Sequence, residues 1–252
     1  MYLNNAKLIY KDKINEDLAI LRVAPDGWEL PDFKPGQYGE LALPGENGSE
    51  KIERRAYSIA STSSCKDYLE FYIVLVKGGT LTENLWNLEV GDSLWLGTKI
   101  KGKFTLDNVP HGKDIIAIAT GTGLAPFLSM IETYKNDNIW NSFTVIHGAR
   151  YKRDLGYESK LLELSENNKN IFYIPTLTRE DWEGHKGRVD TIFKDGTYSN
   201  ITSHNITPDN SQILLCGNPD MIDSTTEFLQ SEYNLKIHSK KDPGQIHFER
   251  YW

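Results

Sequence analysis

The chain has 252 residues, 39% of them hydrophobic and 25% charged, with a formal net charge of −7. That composition suits one large packed domain or two ordinary ones and excludes a disordered chain, and the negative balance argues against nonspecific nucleic-acid binding. No apolar run approaches the roughly 20 residues of a membrane-spanning helix, and the N-terminus has no signal-peptide stretch. Cys65 and Cys216 are far apart in sequence and supply neither a disulfide framework nor a CxxC metal pair. A cytoplasmic protein with reduced thiols is therefore expected, and a monomer is the simplest assembly.

In chain order, the first half up to about Leu106 reads as short strands at 38–43, 55–60, 68–76 and 93–96. They are punctuated by Asp26-Gly27, Pro35-Gly36, Pro44-Gly45, Gly78-Gly79 and Gly91-Asp92. Closely spaced strands with no long helix predict an antiparallel β-barrel or sandwich. One short helix is predicted over 81–88, where Leu81, Leu85 and Leu88 recur at helical spacing. From Asp114 the pattern alternates. Strands are predicted at 115–119, 143–147, 171–177 and 213–216, and helices at 126–134, 157–164 and 219–233, which builds a parallel-sheet α/β domain. The domain boundary is placed near Asp107–Lys113, giving domains 1–107 and 108–252.

Several constellations point to chemistry. Arg54-Arg55-Ala56-Tyr57-Ser58 lies on a predicted strand, where period-2 geometry puts Arg55, Tyr57 and Ile59 on one face and Ala56 and Ser58 on the other. It is either an ordinary surface strand or the edge of a cofactor site, with arginine suited to a pyrophosphate, tyrosine to a flat ring and serine to a ring nitrogen. In the stretch 115–126, a buried strand runs through Thr120-Gly121-Thr122-Gly123 into a helix beginning near Pro126. The free amides of a helix start suit a phosphate. Ala125 and Pro126 stand where the dinucleotide fingerprint needs its third glycine, and no Gly-Lys-Ser/Thr of a P-loop follows. Leu215-Cys216-Gly217-Asn218-Pro219 is a second strand-turn-helix passage, with Cys216 at the ligand-bearing strand end. Arg150, Arg179 and Arg188 fall at or just beyond strand ends of the second half. They are either isolated surface arginines or a clamp for a phosphate beyond a pyrophosphate, the device that prefers NADPH over NADH. The aromatic ending Tyr251-Trp252 either plugs a groove or lies against a flat cofactor. There is no acid–base carboxylate pair, Ser–His–Asp set or HxxxH metal spacing.

Taken together these motifs resemble the bacterial branch of the ferredoxin–NADP reductase family over nearly the whole chain. The carriers are Phe33-Lys34-Pro35-Gly36-Gln37-Tyr38, Arg55-Ala56-Tyr57-Ser58, Gly121-Thr122-Gly123-Leu124-Ala125-Pro126, Cys216-Gly217-Asn218-Pro219-Asp220-Met221 and the Tyr251-Trp252 ending. The resemblance implies an N-terminal FAD-binding β-barrel followed by an NADP-binding α/β domain, with the aromatic tail returning to the flavin. It implies that Arg55 holds the FAD pyrophosphate, Tyr57 stacks on the isoalloxazine and Ser58 bonds near its reactive nitrogen. Phe71, Tyr72, Ile73 and Val74, with the loop carrying Thr80, Leu81 and Thr82, would complete the cradle, and the Thr82 hydroxyl would face the pyrophosphate.

The same resemblance places Thr120 near the flavin and Thr122 in the nucleotide turn. It puts Arg150, Thr178, Arg179 and Arg188 at the adenosine 2′-phosphate and Trp252 over the second flavin face. Ser58, Cys216 and Trp252 are the expected catalytic residues, and no metal is expected. The implied partner is an acidic ferredoxin or flavodoxin, met by a basic face for which Arg54, Lys99, Lys101 and Lys103 are candidates. Two alternatives stay open. One is an NADH-dependent flavin reductase feeding a haem protein or oxygenase, and the other is a nonenzymatic flavin- or nucleotide-binding regulator.

Overall fold

The structure is a computed structural model that describes residues 4–44 and 52–250. Its contacts divide it into two compact units. The first holds the chain to Leu106 together with Ala125–Thr133, and the second holds Asp107–Leu124 and the chain from Tyr134 onward.

In the first unit, strands β1 (Ala6–Lys13), β2 (Leu18–Pro25), β3 (Tyr38–Pro44), β4 (Ile52–Ser58) and β5 (Leu69–Val74) are followed by helix α1 (Thr80–Asn87) and strand β6 (Ser93–Leu96). They form an antiparallel sheet in the order β4-β3-β6-β1-β2-β5. An antiparallel bridge between Ile59 and Phe71 joins the two edges, so the sheet closes as a barrel. Alternate residues fill the interior: Leu8, Ala19, Leu21, Val23, Leu41, Leu69, Phe71, Ile73, Leu94 and Leu96, with Leu81 and Leu85 from α1. Each such large apolar side chain contributes about 1.5–3 kcal/mol on burial.

β1 and β2 are absent from the strands predicted above. In β1 the pairing slips by one residue between Leu8 and Tyr10, leaving Ile9 as a bulge, and Ile9 and Tyr10 are exposed. The bulge breaks the alternation by which a strand is recognised. The Pro35-Gly36-Gln37-Tyr38 turn is locked by backbone proximity, because a Cβ on Gly36 (φ +96°) would lie 1.9 Å from the Phe104 carbonyl oxygen. Gln37 completes the lock, accepting from Lys34 N and donating to the Gly102 carbonyl.

In the second unit, β7 (Asp114–Thr120) leads into a tight turn, Gly121–Leu124, and the helix that follows, α2 (Ala125–Tyr134), belongs to the first unit as far as Thr133. The chain continues through β8 (Ser142–Ala149), α3 (Glu158–Asn167), β9 (Ile171–Leu177), β10 (His185–Lys186), α4 (Thr191–Lys194) and α5 (Thr197–Thr202). It ends with β11 (Ser211–Gly217), α6 (Pro219–Tyr233) and β12 (Ile246–Arg250). The strands form one wholly parallel sheet, ordered β10-β9-β8-β7-β11-β12. The predicted barrel followed by a parallel α/β domain is the architecture found. α3 starts one residue later than predicted because Tyr157 is left-handed (φ 62°). β12, like β1 and β2, is absent from the strands predicted above. Among the described residues no helix is long and apolar enough to cross a membrane, and neither cysteine is in a disulfide.

Candidate functional site

In the barrel, the register of β4 against β3 sets Arg55 opposite Leu41 and Tyr57 opposite Gly39. Directly opposed residues share a face, so Glu53, Arg55, Tyr57 and Ile59 line the interior side of β4, as alternation predicts, with Ala56 and Ser58 on the other side. Ile59 is sealed in the core, whereas Arg55 is exposed and 3.6 Å from the Glu53 carboxylate. Tyr57 meets Phe71 edge-on at 6.4 Å. Its hydroxyl is buried without a hydrogen-bond partner, and burial pushes the phenol up to about 12, against the pull of the Arg55 charge. Such an orphan is costly unless a ligand completes it. Phe71 and Ile73 point into the core beside it, while Tyr72 lies buried on the alternate parity and Val74 ends the strand half-buried. Ser58 is buried.

The start of α1 lies beyond β5. Gly79 caps the helix with no side-chain bond, so the first-turn amides, including those of Thr80, Leu81 and Thr82, have no cap from a side chain and suit an anion. The Thr82 hydroxyl is committed elsewhere, bonding to both Val76 N and Val76 O at 3.2 Å. Thr82 thus shapes the loop in this structure.

In the parallel sheet the chain reverses its strand order between β7 and β11, and such a switch point at the carboxyl edge is where open α/β sheets bind ligands. Thr120 ends β7 and accepts a hydrogen bond from Asn218 N at 3.0 Å. A Cβ on Gly123 would stand 2.3 Å from the Cys216 carbonyl oxygen, so only glycine lets the turn approach β11 this closely. Thr122 is buried within that turn. Cys216 is fully buried, paired in the sheet with Ala119 on one side and Glu249 on the other. Asn218 caps α6 through its side chain, which accepts from Asp220 N and Met221 N, and Pro219 fills the first helical turn.

Three adjacent strand ends carry the predicted arginines. Arg150 follows β8 and Arg179 follows β9, with Arg179 N donating to the Arg150 carbonyl at 3.0 Å, and Arg188 follows β10. All three are exposed, and among the described residues none has a carboxylate partner, whereas neighbouring lysines do: Lys152 with Glu183 and Lys186 with Asp181. Thr178 sits among them, its hydroxyl donating to the Ala149 carbonyl at 3.3 Å. Of the candidate basic face, Arg54 and Lys101 are both tied to Glu40, at 3.7 and 3.2 Å, leaving Lys99 and Lys103 exposed and without an ion pair among the described residues. Tyr251 and Trp252 lie outside the described residues.

The sequence reading missed Glu53, the counter-charge of Arg55, and a chain of bonds joining Thr176, His185 and Asp195 behind Arg188. It also passed over His147, a lone histidine in an apolar strand. His147 is wholly enclosed, 3.3 Å from the Tyr173 hydroxyl, and burial drives it down to about 4 against a bond to the Gly121 backbone. A polar cavity of about 700 Å³ opens at the opposite, amino edge of the sheet, lined by Asp114, Trp140, Asn170 and His204 among others, and includes none of the predicted residues. No cluster of three or more metal-ligating side chains occurs among the described residues.

Known proteins place the chain. Residues 5–106 match the oxidoreductase FAD-binding domain family and residues 117–227 the oxidoreductase NAD-binding domain family. The flavodoxin/ferredoxin–NADP reductase of Buchnera aphidicola subsp. Baizongia pistaciae is 37% identical over 225 residues, covering 88% of this chain and 89% of the relative. The flavodoxin/ferredoxin–NADP reductase of Escherichia coli K12 is 32% identical over 222 residues, covering 87% and 88%. Among solved structures, a ferredoxin NADP+ reductase from Neisseria gonorrhoeae with bound FAD and NADP superposes with a TM-score of 0.88 at 26% identity, covering 98% of both chains. With relatives of this identity matched over almost their full length, the chain belongs to the flavodoxin/ferredoxin–NADP reductase family.

Proposed function

We propose that the chain is an FAD-dependent reductase that moves electrons between NADPH and a small one-electron carrier, ferredoxin or flavodoxin. The residues present fit both cofactors. In the barrel unit, the partnerless buried hydroxyl of Tyr57 and the uncapped first turn of α1 suit a flavin dinucleotide. In the sheet unit, three unpaired arginines on adjacent strand ends suit a nucleotide with an additional phosphate. That last observation carries the choice of NADPH over NADH, because a dianionic phosphate needs charge-assisted donors that NADH would leave idle.

Bound FAD supplies the exchange between two-electron nicotinamide chemistry and one-electron carrier chemistry. The chain's own residues bind and orient. Arg55, now beside Glu53, and the amides of Thr80, Leu81 and Thr82 would hold the pyrophosphate. Tyr57 would lie against the isoalloxazine, Ser58 would bond near its reactive nitrogen, and the strand carrying Phe71, Tyr72, Ile73 and Val74 would complete the cradle. Thr120, Thr122 and Cys216 form the floor at the switch point of the nucleotide unit. Arg150, Thr178, Arg179 and Arg188 take the 2′-phosphate. Tyr251 and Trp252, outside the described residues, are assigned to the flavin site by the family resemblance alone. Lys99 and Lys103 form the remaining basic face for an acidic carrier, since clustered charge steers encounter even on a chain of negative net charge. The reduced cysteines fit a cytoplasmic enzyme.

An anaerobic NADPH titration tests this reading. The purified yellow protein should bleach with one equivalent of NADPH and recover colour on adding oxidised ferredoxin or flavodoxin. A protein that stays yellow with NADPH would end the proposal.

A further inference from the structure

Behind Arg188 lies a hydrogen-bond chain with no counterpart among the motifs above. His185 opens β10, and its Nδ1 is 2.9 Å from the hydroxyl of buried Thr176 on β9. Its Nε2 is 2.8 Å from an oxygen of Asp195, at the end of α4. The Thr176 hydroxyl donates to the Gly187 carbonyl at 2.7 Å. Gly187 N donates to the Leu177 carbonyl at 2.9 Å, and the Arg188 carbonyl accepts from Thr191 N and its hydroxyl at 3.0 and 2.6 Å. The peptide unit joining Gly187 to Arg188 is therefore held on both sides, and the Thr176 bond is its only tether at the Gly187 oxygen among the described residues.

The donors can be counted. A threonine hydroxyl has one proton, and a carboxylate has none. Burial pulls Asp195 upward, but bonds from Thr197 and His185 outweigh it and hold the carboxyl down at about 2, so it is an acceptor only. With the Thr176 proton spent on Gly187 and Asp195 ionised, both ring nitrogens of His185 face acceptors. All three bonds coexist only when both nitrogens carry protons. When Nδ1 gives its proton to solvent, it becomes an acceptor, the Thr176 hydroxyl turns to it, and the Gly187 oxygen loses its donor.

We propose that His185 is a positioning residue for NADPH: in its doubly protonated form it keeps the Thr176 hydroxyl on Gly187 and so fixes the backbone that presents Arg188. This rests on the reading that Arg188 takes the 2′-phosphate. The charged groups around the ring are accounted for. Asp195 comes from the end of α4, Lys186 on the same strand is tied to Asp181, and Glu183 in the preceding loop is tied to Lys152. His185 thus couples cofactor choice to pH through a single proton. NADPH is favoured while both ring nitrogens carry protons, and the preference weakens once Nδ1 has lost its own.

The test measures KM and kcat for NADPH and NADH with ferricyanide as acceptor, from about pH 5.5 to about pH 8.5, the range in which imidazoles titrate. Wild type is compared with His185→Gln and Arg188→Ala. In wild type the ratio of KM for NADPH to KM for NADH should rise with pH relative to the same ratio in His185→Gln, which retains the 2′-phosphate's own ionisation but not the imidazole's. At acid pH, His185→Gln should raise KM for NADPH about three- to tenfold, the worth of one hydrogen bond, with kcat and KM for NADH little changed. If His185→Gln leaves the ratio and its pH profile as in wild type while Arg188→Ala shifts the ratio, the relay is overturned. If Arg188→Ala does not shift it, the phosphate reading falls and the relay with it.

A measurement on unaltered protein covers a variant that fails to fold. In ¹⁵N spectra of the wild-type holoenzyme, both His185 ring nitrogens should be protonated at acid pH, and the Arg188 amide should shift with the same midpoint. An Arg188 amide that does not follow the loss of the His185 Nδ1 proton overturns the proposal.

Discussion

Asn218 donates its backbone N–H to the hydroxyl of Thr120 at 3.0 Å, a bond between residues 98 apart in sequence. It ties the carboxyl end of β7 to that of β11 at the point where the strand order reverses, and Gly123 closes the same joint against Cys216. Replacing Gly123 with alanine puts a methyl 2.3 Å from backbone that cannot swing aside. Gly123→Ala should cost about 1–3 kcal/mol, the typical penalty of overpacking, and should abolish tight NADPH binding. Thermal unfolding and a nucleotide titration check it. A variant as stable and as tight as wild type would contradict the close packing of the turn.

The three arginines should be separable by cofactor. Each of Arg150→Ala, Arg179→Ala and Arg188→Ala removes one charge-assisted contact, worth about 1.5–3 kcal/mol or roughly ten- to hundredfold in KM. The loss should fall on NADPH far more than on NADH. Equal losses for both would mean that the arginines do not read the 2′-phosphate.

The orphaned hydroxyl of Tyr57 gives opposite effects in two states. Without flavin the buried hydroxyl has no partner, so Tyr57→Phe should stabilise the apoprotein by about 1 kcal/mol or more. With flavin the same change should weaken FAD retention, since the contact that completes the hydroxyl is gone. Urea melts of the apoprotein and a flavin dissociation constant measure the two. Destabilised apoprotein would show that the hydroxyl already has a partner inside the barrel.

His147 makes stability fall with acid. Burial lowers its folded value to about 4 from an ordinary 6.5, so below 6.5 the unfolded chain binds the proton that the folded chain refuses. The contribution of neutral His147 is complete above pH 6.5 and is lost as the pH falls towards 4. It amounts to about 3 kcal/mol, because each tenfold difference in proton affinity between the folded and unfolded chain is worth about 1.4 kcal/mol. His247, lowered to about 4 by burial and by the charge of His238 stacked against it, acts in the same direction. Denaturant melts at about pH 7 and about pH 5, on either side of the ordinary imidazole range, should differ for wild type by more than for His147→Leu. Equal differences would mean that His147 titrates normally.

Much of the architecture was legible in the chain. The run Ile115–Ala119 is apolar at every position, as a strand covered on both faces would be, and it lies within β7 (Asp114–Thr120). The tyrosine face of β4 followed from alternation alone, because a strand has a fixed period of two. The helix starts at Pro126 and Pro219 were marked by residues whose reason for being there is local. Where local rules are broken, the reading lost its grip. The bulge at Ile9 hid β1, and the last strand, Ile246–Arg250, is a strand only because β11 lies beside it.

Neighbours along the chain suffice to specify the two kinds of sheet, the glycine turns and the residue types able to hold phosphate and flavin, because period, turn chemistry and charge are local properties. Which of those residues are free to act is settled by contacts between distant segments. Among the described residues, Arg54 and Lys101 are paired with Glu40 while Lys99 and Lys103 have no ion pair, and Arg150, Arg179 and Arg188 stand unpaired on three adjacent strand ends. His185 comes to lie between Thr176 and Asp195 in the same way. Such pairings depend on register and strand order between segments far apart in the chain, and a hydrogen bond of about 3 Å cannot be read from spacing along one strand.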